Sequence, residues 1–458
     1  MLVKAREVAG IIKKASEVHI VTHIDADGIT AGAIALETVK NLGKDYSIEC
    51  VKQLDDTVIE RLKREGYELN WFTDLGSSIT LSYDELPRVV TDHHSCGEGN
   101  NGFFNLNPHL HGLDGSLEIS GAGVTYIVSR VIDDTNEYLS PLAVVGACGD
   151  LQDRKHCRLI GFNREMIVND AERKGLIEVK KDIRLFGRES RPLIKLLQYA
   201  NDPFIPGLTG REEACVSFLH ELGVPLKDKD NWRRWIDLTM KEKQLVTSSV
   251  ARLLLSKGFG SKYVSRLIGE VYLLSKEEAG TEVHDAREYA TLLNATARYG
   301  KHDIGLQVCL GDRDSAFKKA RNLLRGHRQN LVEGLQFAKE EKVERRRHLQ
   351  FFHAGDGIRD TIIGIVTNMM LQSECVDKHL PLLGLVYTDT GDVKVSARGT
   401  DEMVDKGLDL SSALQLAAKK VNGVGGGHKV AAGATIPRGS EEEFLDMVDS
   451  IIEKQFEH

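Results

Sequence analysis

Four short clusters of aspartate and histidine, each placed directly after an apolar run, constrain this chain more than any other feature. His23-Ile24-Asp25-Ala26-Asp27-Gly28 follows the β-rich run Val18–Thr22. Asp74-Leu75-Gly76-Ser77-Ser78 follows Trp71-Phe72-Thr73, and Asp92-His93-His94 follows Val89-Val90-Thr91. Gly149-Asp150 follows the run Ala143–Cys148. Between the first two, Ile29–Leu42 reads as an alanine-rich helix stopped at Gly43. Strand-like and helix-like signals therefore alternate along residues 1–160, which predicts a mostly parallel sheet covered by helices. Ligands of such sheets gather beyond the carboxyl ends of the strands, and all four clusters are expected there. Alternate residues leaving a strand project to the same side, so His23, Asp25 and Asp27 are expected to share one site for as long as extended geometry persists.

The character changes near Lys180. Pro192, Pro203, Pro206 and Pro225 punctuate short helical patterns, and Trp232 and Trp235 stand one helical turn apart. That stretch reads as an inserted helical module, with the two tryptophans serving packing or a partner surface. Asp285 to about Gln350 reads as largely helical, including one long connecting helix. Its Lys318, Lys319, Arg321, Arg325 and Arg328, followed by Arg345-Arg346-Arg347, form either a solvated face or a phosphate-tracking groove. Strand and helix signals return from Asp360, where the run Gly423-Val424-Gly425-Gly426-Gly427-His428 lies. It is neither a Walker loop nor a G-x-G-x-x-G fingerprint, and by itself it reads as a flexible turn. The expected division is 1–184, an insert at 185–280, connector helices at 281–350 and a smaller α/β domain at 351–458.

Composition narrows the function classes. The 458-residue chain has a formal net charge of −8, which does not advertise nucleic-acid binding. Any such binding must use local basic surface or bound cations. Its seven cysteines are scattered, with no C-x-x-C pair, which argues for a reducing compartment and against a zinc ribbon. No apolar run approaches the ~18 residues of a membrane span, and the N-terminus has no signal-like core. A cytoplasmic protein with no membrane association is expected.

Carboxylates packed together repel and raise each other's pKa, and cations remove that repulsion. Mixed carboxylate and imidazole ligands suit Mn²⁺, Zn²⁺ or iron better than Ca²⁺. The supply of ligands fits two metals, and two ions ~3.5–4 Å apart recur in the hydrolysis of phosphate esters. Each cluster alone is a weak signal; their order and shared placement carry the reading. His109 and His111 look like a further pair but read better as loop residues, and His156 and Cys157 as structural ones.

The four clusters resemble the DHH phosphoesterase superfamily, whose motif stands here as Asp92-His93-His94. Lys394-Val395-Ser396-Ala397-Arg398, Gly425-Gly426-Gly427-His428 and Ala431-Ala432-Gly433 resemble its DHHA1 partner domain, and Asn294-Ala295 with Arg298 resembles the connector of RecJ-type members. Only residues 185–280 are left unmatched, and that insert is most similar to archaeal RecJ-like proteins, including the GINS-associated nuclease. The resemblance implies that His23, Asp25 and Asp74 hold one metal and that Asp27, Asp74, His93 and Asp150 hold the other. Asp74 would bridge, His94 would meet the scissile phosphate, and Asp92 would orient the histidines. Ser396, Arg398, Gly425, Gly426, Gly427 and His428 would bind substrate.

The activity so implied is exonucleolytic hydrolysis of single-stranded DNA, with RNA as a second substrate, in the 5′→3′ direction and linked to replication. Mn²⁺ is the expected metal and Mg²⁺ the second. Two alternatives stand beside it: a phosphodiesterase for short oligonucleotides or cyclic dinucleotides, and a replication scaffold that binds GINS through the insert.

Overall fold

The computed structural model describes residues 1–96, 104–200, 202–373 and 375–456. The chain forms two compact units, Met1–Leu324 and Arg325–His458. Among the described residues no helix is long and apolar enough to cross a membrane.

The first unit opens with α1 (Leu2–Lys14), β1 (Glu17–His23), α2 (Ala26–Asn41), β2 (Asp45–Val51), α3 (Asp56–Glu65), β3 (Asn70–Thr73), β4 (Arg88–Thr91) and β5 (Asn105–Leu106). The strands make one parallel sheet in the order β2-β1-β3-β4-β5. β3 and β4 are buried along their whole length, and each carries a central apolar pair, Trp71-Phe72 and Val89-Val90. The helices α4 (Gly121–Ile132) and α5 (Ser140–Gly149) complete the covering layer. α2 is buried on almost every face and packs on β1 and against α4 and α5. Its alanines and glycines permit this approach: a Cβ at Gly32 would meet the Thr22 methyl at 2.8 Å. Full burial of Ile29, Ile34 and Val39 contributes about 1.5–3 kcal/mol each to this packing.

Two expectations about the clusters are corrected. Ala143–Cys148 is not a strand but most of α5, and Asp150 caps the carboxyl end of that helix. A short apolar run cannot be assigned by periodicity alone, and here Ala143, Gly146 and Ala147 let α5 pack tightly against α2 and α4. The extended path after β1 is also shorter than expected. Asp25 is already the N-cap of α2, its side chain accepting the Gly28 N–H, and Asp27 lies in the first helical turn.

The strand β6 (Ile177–Ile183) pairs antiparallel with the strand Ile268–Leu274, with Ile183 opposite Ile268. The intervening insert thus leaves and returns at one point. It has its own apolar core, in which Leu196, Leu197, Leu219, Trp235, Val246 and Val250 are fully or almost fully buried. Trp232 and Trp235 do not share a helix: Trp232 lies half-exposed on a two-residue strand, while Trp235 is buried in a single 3-10 turn. The helices Ala286–Arg298, His302–Cys309 and Ser315–Glu340 follow, the last 26 residues long.

The second unit is built on a six-stranded sheet. Its order is Glu344–Arg345, Gln350–His353, Leu382–Tyr387, Val393–Arg398, Ala431–Ile436, Val424–His428. The glycine run is therefore an edge strand rather than a turn. A Cβ at Gly425 would meet the Leu414 carbonyl at 2.7 Å, so the helix Leu410–Lys420 can press on this strand only because it lacks side chains. Arg346 and Arg347 face Glu442 and Glu453 on the helix Glu441–Phe456, at 2.5 and 2.7 Å, and Arg345 faces Asp377 at 3.6 Å. The arginine triplet is thus matched by carboxylates of its own unit.

Candidate metal centre

Five elements deliver the acidic and imidazole groups. His23 ends β1, and Asp25 and Asp27 open α2. Asp74 follows β3 directly and has φ 59°, a left-handed conformation that Asp tolerates better than most residues. Backbone strain of this kind costs about 1–3 kcal/mol and is typically held in place at functional sites. Asp92, His93 and His94 follow β4, and Asp150 leaves α5.

Three sets of ligand atoms lie within 4.8 Å of one another: His23, Asp25 and Asp74; Asp74, His93 and His94; and Asp27, His93 and Asp150. Asp74 and His93 each belong to two sets. His23 Nδ1 lies 3.1 Å from Asp25 Oδ2 and 3.6 Å from Asp74 Oδ2, yet it makes a hydrogen bond to neither. His93 Nε2 lies 3.1 Å from Asp150 Oδ2, 3.3 Å from Asp74 Oδ1 and 3.8 Å from Asp27 Oδ2. Asp74 Oδ1 is buried and has no hydrogen-bond partner. Buried polar atoms are rarely left so, and a cation among these oxygens and nitrogens would satisfy them. The residues fit divalent metal ions in donor type as well as in placement.

Charge tells the same story. Burial alone would lower His23, but the carboxylates of Asp25 and Asp74 outweigh it and push it up to about 11. Burial would also lower His93, and Asp74, Asp150 and Asp27 raise it instead. Asp74 moves the opposite way, its burial overcome by His23 and His93. Burial and the Asp74 charge push Asp27 up to about 7, and burial with Asp27 raises Asp150. Without cations the centre holds protons in their place.

Asp92 is occupied otherwise. Its Oδ1 accepts the His93 and His94 N–H groups at 2.8 and 3.2 Å and His94 Nδ1 at 2.8 Å, and its Oδ2 accepts the Ser77 N–H at 3.0 Å. It therefore fixes both histidines. His94 is the exposed member of the pair.

Several contributors escaped the sequence reading. Gly121 and Ala122, at the N-terminus of α4, donate their N–H groups to the two oxygens of Asp27 at 2.6 and 3.1 Å. A Cβ on Gly121 would lie 2.5 Å from Asp74 Oδ1, and one on Gly146 would lie 2.3 Å from Asp27 Oδ1. The signal available was Ser120-Gly121-Ala122-Gly123, a helix N-cap followed by glycine. The side chain of Asn294 accepts the Ala26 N–H at 3.0 Å, and Arg298, largely desolvated, feels the Asp25 charge. His109 sits in the 3-10 turn Pro108–His111 and belongs to none of the three ligand sets.

In the second unit, Ser396 lies opposite Gly433, and Gly426 lies opposite Gly433 from the other side. Arg398 and His428 flank Ala431 in the same way. Ser396, Arg398, Gly426 and His428 therefore share one face of the sheet, whereas Gly425 and Gly427 face the other. Burial lowers the half-buried Arg398, and its Nη1 donates to the Ala397 carbonyl at 2.8 Å. A Cβ on Gly364 would lie 2.5 Å from Arg398 Nη2 and 3.4 Å from Ser396 Oγ.

The chain is similar to known proteins in sequence and fold. The DHH-CID domain family matches residues 185–268 and the DHHA1 domain family matches residues 348–454. An uncharacterized protein of Methanocaldococcus jannaschii is 30% identical over 474 residues, covering 99% of each chain. CDC45 from Entamoeba histolytica aligns with a TM-score of 0.68 at 12% identity over 97% of each chain. RecJ from Thermus thermophilus, solved in complex with Mn²⁺, aligns with a TM-score of 0.60 at 17% identity over 98% of this chain. The present chain covers 55% of that RecJ, about half its length. An exonuclease RecJ bound to manganese gives a TM-score of 0.58 at 17% identity, over 98% of this chain and 94% of that one. At these identities the solved structures show a common fold.

Proposed function

The chain belongs to the DHH/DHHA1 phosphoesterase superfamily, in its RecJ-like branch, and from that premise we propose that it is a two-metal exonuclease acting on single-stranded DNA, with RNA as a second substrate. The observation that carries the reading is Asp74, a buried carboxylate shared between two groups of potential ligands, with one oxygen left unpaired.

His23, Asp25 and Asp74 would hold one ion, and Asp27, Asp74, His93 and Asp150 the other. When bound, such ions supply Lewis acidity at the phosphoryl oxygens and lower the pKa of water. Asp92 fixes the two histidines through its Oδ1 and is itself anchored by the Ser77 N–H, which would leave His93 to hold an ion and the exposed His94 to meet a phosphate. Gly121 and Ala122 hold Asp27 in place through their N–H groups. Ser396 and Arg398 would receive a backbone phosphate, which explains how a chain of net charge −8 engages a polyanion. Mn²⁺ is the proposed working ion, Mg²⁺ the second, and 5′→3′ the proposed direction.

The test is degradation of matched single-stranded DNA and RNA, labelled at either end, with Mn²⁺ and with Mg²⁺, beside a dinucleotide. Release of the labelled mononucleotide at the outset from a 5′-labelled long strand, with stepwise shortening of the 3′-labelled strand, is the expected result. Cleavage of the dinucleotide alone would instead establish a small-substrate phosphodiesterase. A second role proposed for the same molecule, on its resemblance to archaeal RecJ-like proteins, is the binding of GINS through the insert at residues 185–280.

A further inference from the structure

The turn from Asp150 to Asp153 supplies one proposed metal ligand and touches another. Gln152 is buried, and its Nε2 donates to the Gly115 carbonyl at 2.9 Å. That same carbonyl lies 2.7 Å from His93 Nδ1. A carbonyl can only accept, so Nδ1 carries the proton and Nε2 is left facing Asp27, Asp74 and Asp150. Asn163 closes the chain by donating to Gln152 Oε1 at 2.6 Å. Within the turn, Leu151 has φ 58°, a conformation that a leucine keeps only where its surroundings impose it.

The turn is anchored two residues on, at Asp153. Its side chain is fully buried, and Oδ2 lies 2.5 Å from Arg184 Nη2 and 3.6 Å from Arg287 Nε. Arg287 Nη1 also donates to the Arg184 carbonyl at 2.6 Å, which ties the two arginines together. Arg184 directly follows β6, where the chain leaves for the insert, and Arg287 lies in the helix Ala286–Arg298, soon after the chain returns. Both flanks of the insert therefore grip one carboxylate, three residues from Asp150.

We infer that Asp153 is a positioning residue for the Asp27–His93–Asp150 set of ligands, held by Arg184 and Arg287. It sets Asp150 through the Leu151 turn and His93 through Gln152 and the Gly115 carbonyl. Among the described residues no hydrogen bond or ion pair joins this turn directly to His23, Asp25 or Asp74, and the link between them runs through His93. This inference rests on the two-metal reading above, and it makes the two ions separable.

The experiment is calorimetric titration of the full chain with Mn²⁺, read together with the thermal midpoint and near-ultraviolet circular dichroism. The wild type should bind two ions, and a wild type that binds no pair overturns the two-metal reading before any variant is made. Partners of metal ligands typically affect affinity by about 10–100-fold. Asp153→Asn should weaken one ion by about tenfold or more and leave the other at its wild-type affinity. Arg287→Gln removes the longer contact from a partly exposed position and should weaken the same ion by a smaller factor, and Arg287→Lys should restore it. Should Asp153→Asn fail to fold, the Arg287 pair decides the matter. Wild-type affinity for both ions in folded Arg287→Gln, or equal weakening of both, overturns the inference.

Discussion

Asp74 carries more of the proposed chemistry than any other residue, and its backbone shows it. A left-handed turn straight after β3 aims one carboxylate between His23 on one side and His93 on the other. Asp74→Ala is expected to abolish hydrolysis at any Mn²⁺ concentration while leaving the fold intact; near-normal turnover in that variant, with Mn²⁺ present, would sink the two-metal reading. The proton load of the centre gives a second expectation. His23 is held up to about 11 and Asp27 up to about 7, so at pH 7 His23 is protonated and Asp27 is about half protonated. Ions must displace those protons. Mn²⁺ affinity should therefore rise with pH through 7, and titrations in buffers of different ionisation enthalpy should show proton release on binding. Arg398 makes the third expectation. Arg398→Ala should raise KM for a single strand several-fold and leave Mn²⁺ affinity unchanged; a fall in metal occupancy would show that its assigned role is wrong.

At the scale of elements, the centre depends on small residues that let helices approach the acidic groups. α5 lies against α2 so closely that Gly146 leaves only enough room for the Asp27 carboxylate. Gly146→Ala would drive a methyl to within 2.3 Å of Asp27 Oδ1. Weakened Mn²⁺ binding is expected in a protein that still unfolds cooperatively, and a variant with wild-type affinity would show that α5 can yield. The acidic clusters were legible at this scale because Thr73 and Thr91 end buried parallel strands whose central apolar pairs, Trp71-Phe72 and Val89-Val90, mark them out. The placement of Asp150 was not, because Ala143–Cys148 is apolar on all sides whether it forms a strand or a helix. The glycines at 425–427 misled for a related reason: local preference favours a turn, but pairing with Ala431–Ile436 and packing of Leu410–Lys420 override it.

At the scale of the whole molecule, the insert is the distinctive part. It has its own core and closes at a single antiparallel stem, with the Arg184 N–H donating to the Leu267 carbonyl at 2.9 Å. A short Gly-Ser linker in place of residues 186–265 should therefore leave the parallel sheet folded. Such a chain is expected to lose capture of purified GINS, measured by pull-down against the full chain. Undiminished capture would remove the insert from the partner role.

The sequence by itself determined which residues could bear the chemistry. Four clusters of acid or imidazole in one chain point to bound cations, and the position of three of them after apolar runs points to a sheet with ligands beyond its strand ends. Tertiary structure alone decided how they meet. Only packing shows that Asp25 and Asp27 belong to the start of a helix, that Asp150 arrives from a helix end, and that Gly121 and Gly146 make room for Asp74 and Asp27. The same holds for the buried pairing of Asp153 with Arg184 and Arg287, residues 31 and 134 positions downstream along the chain. Periodicity and turn chemistry act over a few residues, whereas burial, close approach and the pairing of charges depend on which distant segments fold against one another.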